Sequence, residues 1–133
     1  MTLHSVTEYL KYRLIAKGRH GTHSPFVYQL VDECLLVCNG QSLEKKLIAY
    51  FNNNILILPA STGPEQWKDA ISVDRPEQII LVPGIHKTID RTNSWILLAN
   101  DPATKMSIDL FDYGLLISRI QFKEKQHFTL KYC

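Results

Sequence analysis

Glycine is scarce and badly placed for a nucleotide loop. It occurs only at 18, 21, 40, 63, 84 and 114, and no two positions are spaced as Gly-x-Gly. That excludes a dinucleotide-binding fingerprint. Ser61-Thr62-Gly63 lacks the lysine and spacing of a P-loop. Long apolar runs are also missing: none approaches the roughly 18 residues of a membrane-spanning helix. Met1-Thr2-Leu3-His4-Ser5 lacks the basic-then-apolar order of a secretory signal. There are three cysteines and no Cys-x-x-Cys, so no metal-binding spacing is present. Cys34 and Cys38 lie one helical turn apart in an apolar stretch and Cys133 is the last residue. Two buried core thiols and one free terminal thiol are expected, and reduced cysteines without an export signal suggest the cytoplasm. A net charge of +2 gives no bulk case for nucleic acid or a membrane as partner. Where the charge sits matters more.

What is present is a globular composition, 45% hydrophobic and 21% charged over 133 residues, enough for one domain with a core. The first third reads as helical. Ser5-Val6-Thr7-Glu8 has the form of a capping box, and Val6, Leu10 and Leu14 then recur at helical spacing, which predicts one apolar face. Gly18 is placed to end that helix. Ser24-Pro25 opens a second helix with a buried stripe of Phe26, Val27, Leu30, Val31, Cys34 and Leu35. Ser42 opens a third, with Leu43, Leu47, Tyr50 and Phe51 on one side.

The pattern then changes period. Ile55-Leu56-Ile57-Leu58, bounded by three asparagines and Pro59, reads as a strand buried on both faces. Gly63-Pro64 starts a short helix to about residue 72. Gln78 to Val82 is a second buried strand, and a helix from about His86 to Ala99 follows, with Ile89 and Leu97 near its core face. Strand, helix, strand, helix is the signature of βαβ winding. At the end, residues 106–110 and 115–120 read as an antiparallel hairpin turning at Asp112-Tyr113-Gly114. Residues 126–132 alternate again, with Phe128, Leu130 and Tyr132 on one face.

Two stretches, Tyr9 to Tyr28 and Ser107 to Arg119 followed by Lys125 to Tyr132, resemble the opening run and the closing hairpin and final strand of a bacterial family of class I S-adenosylmethionine-dependent methyltransferases. Ile85-His86 and Trp95 sit where that family carries an Asp-Asp-Ile-His-Trp motif and a tryptophan-bearing helix. The resemblance implies a Rossmann-like sheet and S-adenosylmethionine as cofactor. The departures from it are large. The chain passes from its third helix into a strand that resembles the family's fourth, so the glycine-rich cofactor loop and the acid that holds the ribose have no counterpart. Pro83-Gly84 replace the Asp-Asp pair, and neither can coordinate a metal or act as a base.

The expected fold is therefore α/β: a truncated Rossmann-like methyltransferase sheet of four or five strands, two parallel and the rest an antiparallel C-terminal set. A helical cap over 1–52 precedes the half-sheet of 53–133 in a single domain. The expected function is that of a methyltransferase-like protein without catalytic activity, acting by binding or self-association, with no cofactor and no metal. The open side of Ile55–Leu58, whose neighbouring strand would be the missing first one, predicts a homodimer; a different protein partner is the other option. The alternatives are an S-adenosylmethionine-dependent enzyme with an unusual or shared site, and an anion- or nucleotide-binding module. The last rests on Arg19, His20, His23 and Ser24, which lie at a helix N-terminus that attracts anions. A structural reading, in which His20 and His23 cap backbone carbonyls and pin the turn, stands beside it. The resemblance makes His86 a remnant of the family's active site, without a paired acid or nucleophile in the sequence; a hydrogen bond at a helix start is the structural reading beside it. Trp67 and Trp95 read as core, and Lys123-Glu124-Lys125 as a solvated turn.

Overall fold

The computed structural model describes residues 2–16, 24–71 and 77–133. In chain order the elements are α1 (Leu3–Ile15), α2 (Pro25–Leu30), which runs on as a π-helical turn (Val31–Leu35), α3 (Leu43–Tyr50), β1 (Leu56–Ile57), α4 (Pro64–Ala70), β2 (Gln78–Pro83), α5 (Ile89–Ala99), β3 (Met106–Asp109), β4 (Tyr113–Ser118) and β5 (Gln126–Thr129). The α/β class is as expected.

The five strands form one sheet in the order β1-β2-β4-β3-β5. β1 pairs parallel with β2, β4 runs antiparallel between β2 and β3, and β5 pairs parallel with β3. The last pairing corrects the expected all-antiparallel C-terminal set. A period of two fixes which residues share a face but not the direction of the neighbouring strand, and β5 crosses to the far side of the hairpin. The turn also tightens to Leu110–Asp112, with the Leu110 amide donating to the Tyr113 carbonyl at 2.9 Å.

Alternation along the central strands builds two cores. Ile79, Leu81, Leu115, Ile117, Met106 and Ile108 pack under α2, its π-helical turn and α3, against Val27, Leu30, Val31, Leu35 and Leu47. On the other face Ile80, Val82 and Leu116 meet Trp67, Trp95 and Leu98. Both tryptophans are core residues, as read from the sequence. Gly114 makes this possible: a Cβ there would lie 2.4 Å from the Trp95 ring.

Several helix faces differ from expectation. α1 begins earlier than its apparent capping box: Thr2 is the N-cap and its Oγ1 accepts from the Ser5 amide at 3.1 Å, while Ser5 is buried within the helix. Val6, Leu10 and Leu14 do share a face, but that face points to solvent. On α5 the buried set is Thr92, Trp95, Leu98 and Ala99, and Ile89 and Leu97 are exposed. Their spacing could not separate two apolar stripes on one short helix. β1 has only two residues, and Leu56 is 46% exposed, so this strand is not buried on both faces. Gly18 lies outside the described residues; α1 ends at Ile15 with Ala16 as C-cap.

Cys38 and Cys133 form a disulfide across 95 positions with a Cα–Cα separation of 5.3 Å, and Cys34 is the free buried thiol. This overturns the expected free terminal thiol and removes the cysteine-based ground for a cytoplasmic placement. Burial pushes the Cys34 thiol up to about 11, against the pull of the Lys46 ammonium. Lys46 is buried and spends its Nζ on three carbonyls, of Leu35 at 3.2 Å, Val37 at 3.0 Å and Cys133 at 2.6 Å. An ammonium has three donors, so this set satisfies it without a carboxylate. The Cys133 amide donates to the Leu35 carbonyl at 2.7 Å, and the tail is thus fixed beside the π-helical turn. Among the described residues no helix is long and apolar enough to cross a membrane.

Candidate functional site

The pairing pattern makes β1, β2, β3 and β5 run the same way, with β4 opposed. Their carboxyl ends therefore gather at one end of the sheet, the place where open α/β sheets bind ligands. A cleft of about 630 Å³ opens there. Its wall takes Ala60 from beyond β1, Pro83, Gly84, His86 and Lys87 from the end of β2, Phe111, Asp112 and Tyr113 from the hairpin turn, and Tyr132 from beyond β5; Ser5 of α1 and Leu43 of α3 complete it. The size suits a small molecule.

His86 sits at the back, 7% exposed. Asp109 Oδ2, from the last residue of β3, accepts from His86 Nε2 at 2.6 Å. His86 Nδ1 faces Thr92 Oγ1 at 3.3 Å and Glu8 Oε2, on α1, at 3.4 Å. The Thr92 hydroxyl donates to the Ile85 carbonyl at 2.9 Å and also bonds His4 Nε2 at 2.9 Å. The Phe111 ring stacks on the imidazole, with centroids 5.6 Å apart and planes 17° apart. One histidine thus joins α1, α5 and β3.

Phe111 has φ +68°, unusual for an aromatic residue. Asp109 Oδ1 accepts from its amide at 2.8 Å, and the Tyr9 and Tyr12 rings pack on its own at 4.9 and 5.6 Å. The strain of a left-handed residue, on the order of 1–3 kcal/mol, is held by the groups that also hold His86. Gly84, φ +66°, donates its amide to the Asp112 carbonyl at 2.8 Å and so ties the end of β2 to the same turn. Behind it Arg91 donates to the carbonyls of Gly84 (2.9 Å), Pro83 (3.1 Å) and Thr62 (3.1 Å) and lies over the Trp67 ring. The carbonyl of Thr62 is bound into this frame, consistent with the weak case for Ser61-Thr62-Gly63 as a phosphate loop.

No protein-family model, curated protein or solved structure matches the chain.

At the mouth of the cleft the phenols are spent. Tyr132 donates to Asp112 Oδ2 at 2.6 Å and Tyr113 to Glu44 Oε1 at 3.2 Å. Burial raises the pKa of both, and the acceptor carboxylates add to it, so both remain donors rather than bases. What faces the cleft is a largely apolar wall, the exposed Lys87 and the Asp112–Tyr132 pair. For S-adenosylmethionine this set offers the Lys87 ammonium to its carboxylate, but the Asp112 carboxylate that would face its sulfonium and ammonium already holds the Tyr132 phenol.

Of the residues singled out in the sequence, His86 lies in this cleft and Ser24 does not. The Ser24 hydroxyl accepts from the Val27 amide at 3.4 Å as the N-cap of α2. Arg19, His20 and His23, and with them the anion site they suggested, lie outside the described residues. Sequence reasoning found no acid for His86, yet two are present, Asp109 and Glu8. Asp109 had a signal: it is a polar position in the alternation of β3, on the face that α5 covers and at the carboxyl end of the strand. Glu8 reads from sequence as part of a capping box. Among the described residues no three His, Cys, Asp or Glu side chains are grouped to hold a metal.

Proposed function

We propose that the chain is a methyltransferase-like half-sheet that works by binding and self-association rather than by catalysis. The observation that carries this reading is the state of His86. Both ring nitrogens face oxygens of the protein itself, Asp109 on one side and Glu8 with Thr92 on the other. A general base must reach a substrate proton, and this imidazole is occupied in joining elements. The sheet supports the ancestry. Two parallel strands are followed by a hairpin, as the resemblance implies for the end of such a sheet. The cleft supplies the binding half of the proposal, for a small ligand that tolerates an ammonium beside it.

Self-association is drawn from β1. Its outer edge has no strand partner among the described residues, and Leu56 is exposed there. Open edges invite pairing, and a two-fold partner can supply both backbone bonds and apolar cover. Sedimentation velocity at micromolar concentration tests this: a dimer is expected, with Leu56→Lys monomeric. A methyl-transfer assay with labelled S-adenosylmethionine and the chain's own host extract is expected to give no incorporation above background. A monomer at all concentrations that incorporates methyl groups would overturn the reading.

A further inference from the structure

α1 is an amphipathic helix mounted the wrong way round. At about 100° per residue, Leu3, Val6, Leu10 and Leu14 fall on one side, and their exposures are 84%, 40%, 58% and 86%. The side turned to the body is polar or aromatic: His4 bonds Thr92, Glu8 reaches His86, and the Tyr12 hydroxyl donates to the Leu130 carbonyl at 2.6 Å. Helices of a single domain ordinarily bury the apolar stripe and wet the polar one. Here the inward face is satisfied by specific bonds, so the outward stripe is not a packing error that a small rotation would repair.

The charges are distributed to match. Lys11 and Arg13 lie on the margins of the ridge and are exposed. Lys11 reaches back to Glu8 Oε1 only at 3.9 Å and keeps 67% of its side chain in solvent. Glu8, the one acid of the helix, has 16% of its side chain exposed. Tyr9 stands at the edge of the ridge with Arg13 over its ring at 6.0 Å. The outward surface therefore combines four aliphatic side chains, two cations and a half-exposed tyrosine, with almost no negative charge. A second copy of α1 would offer those cations no exposed carboxylate, because its own Glu8 is turned inward too.

We infer that α1 lies on an anionic lipid surface, its leucine ridge in the headgroup–acyl boundary and Lys11 and Arg13 on the lipid phosphates. An outward aliphatic ridge flanked by two cations can rest on such a surface without spanning it. It is independent of the β1 edge and of the cleft, so it can fail while the proposed function stands.

Flotation of the full chain with vesicles tests it. Vesicles with about a third phosphatidylserine should carry the protein up the gradient, and pure phosphatidylcholine should carry on the order of twentyfold less, since each of the two cations near an anionic surface is worth roughly fivefold in affinity. Leu10→Asp with Leu14→Asp should cut binding more than about tenfold while circular dichroism keeps its helical signal and the melting temperature falls by only a few degrees, about the cost of two weaker helix formers on an exposed face. Lys11→Glu with Arg13→Glu should abolish the preference for anionic lipid, and Leu97→Asp, on the exposed face of α5, should change nothing. The inference is overturned if the chain stays at the bottom with both vesicle types, or if the double aspartate variant floats as well as the wild type. It is equally overturned if that variant merely converts a dimer to a monomer without any lipid binding, which would assign the ridge to a second copy.

Discussion

Replacing His86 by leucine separates a histidine that holds the fold from one that serves a reaction. Leucine fills much of the same space but removes both ring-nitrogen bonds. The bond to Asp109 at 2.6 Å involves a carboxylate, a class worth about 1.5–3 kcal/mol. The stack on Phe111 adds on the order of 0.5–1.5 kcal/mol. Asp109 keeps the Phe111 amide on its other oxygen, which limits the loss, and the weaker approach of Glu8 at 3.4 Å adds little. A cost of about 3 kcal/mol follows, a large share of the roughly 5–15 kcal/mol that holds a domain together. Urea titration followed by Trp67 and Trp95 fluorescence should show a lower midpoint at unchanged slope. Hydrogen exchange should rise first in α1, whose anchors to the body include Glu8 on this histidine. Residues kept for chemistry behave differently: their replacement usually leaves stability equal or higher. A midpoint within about 0.5 kcal/mol of wild type, with α1 still protected, would refute the structural role assigned to His86 and reopen a catalytic one.

Two further outcomes follow from the same geometry. Reducing the Cys38–Cys133 disulfide releases a loop of 95 positions, for which loop-closure entropy gives up to about 4.7 kcal/mol; the urea midpoint should fall with reductant, Cys38→Ser should start at the lower value, and an insensitive wild type would contradict the pairing. The pKa of His127 is held below its ordinary 6.5, first by desolvation and then by Lys125. A depressed histidine favours the fold above that pH and costs it as pH falls through it. Stability should therefore decline from about pH 6.5 downward, less steeply in His127→Gln, and identical slopes for the two proteins would refute the assignment.

The parts of the fold legible in the sequence were those fixed by local chemistry. Ser24-Pro25 and Ser42 opened helices where their side chains and ring geometry favour a first turn. The unbroken apolar run of β2 belongs at the centre of the sheet, where both faces are covered. What could not be read was set by distant partners. Periodicity put Val6, Leu10 and Leu14 on one face of α1 but carries no sign, and the competing bonds of His4, Glu8 and Tyr12 turned that face outward. The alternation of β5 is the same for a parallel and an antiparallel neighbour. Cys38 and Cys133 meet across 95 positions, beside the carbonyls that Lys46 holds. The cleft depends on four strand ends converging, and the sequence alone gave His86 without the two acids that define its role. The resemblance to a methyltransferase pointed to the end of β2, and the competition for each polar atom there is a fact of the tertiary structure.

The chain is expected to bind no S-adenosylmethionine, and calorimetric titration of the full chain tests this most directly. S-Adenosylmethionine and S-adenosylhomocysteine should give only heats of dilution, and the melting temperature should not move. A ligand at one hundred times its dissociation constant would stabilise the fold by about 2.7 kcal/mol, a shift too large to overlook. A saturable isotherm at micromolar concentration, weakened by His86→Leu, would contradict this and return the cleft to the chemistry that the resemblance implies.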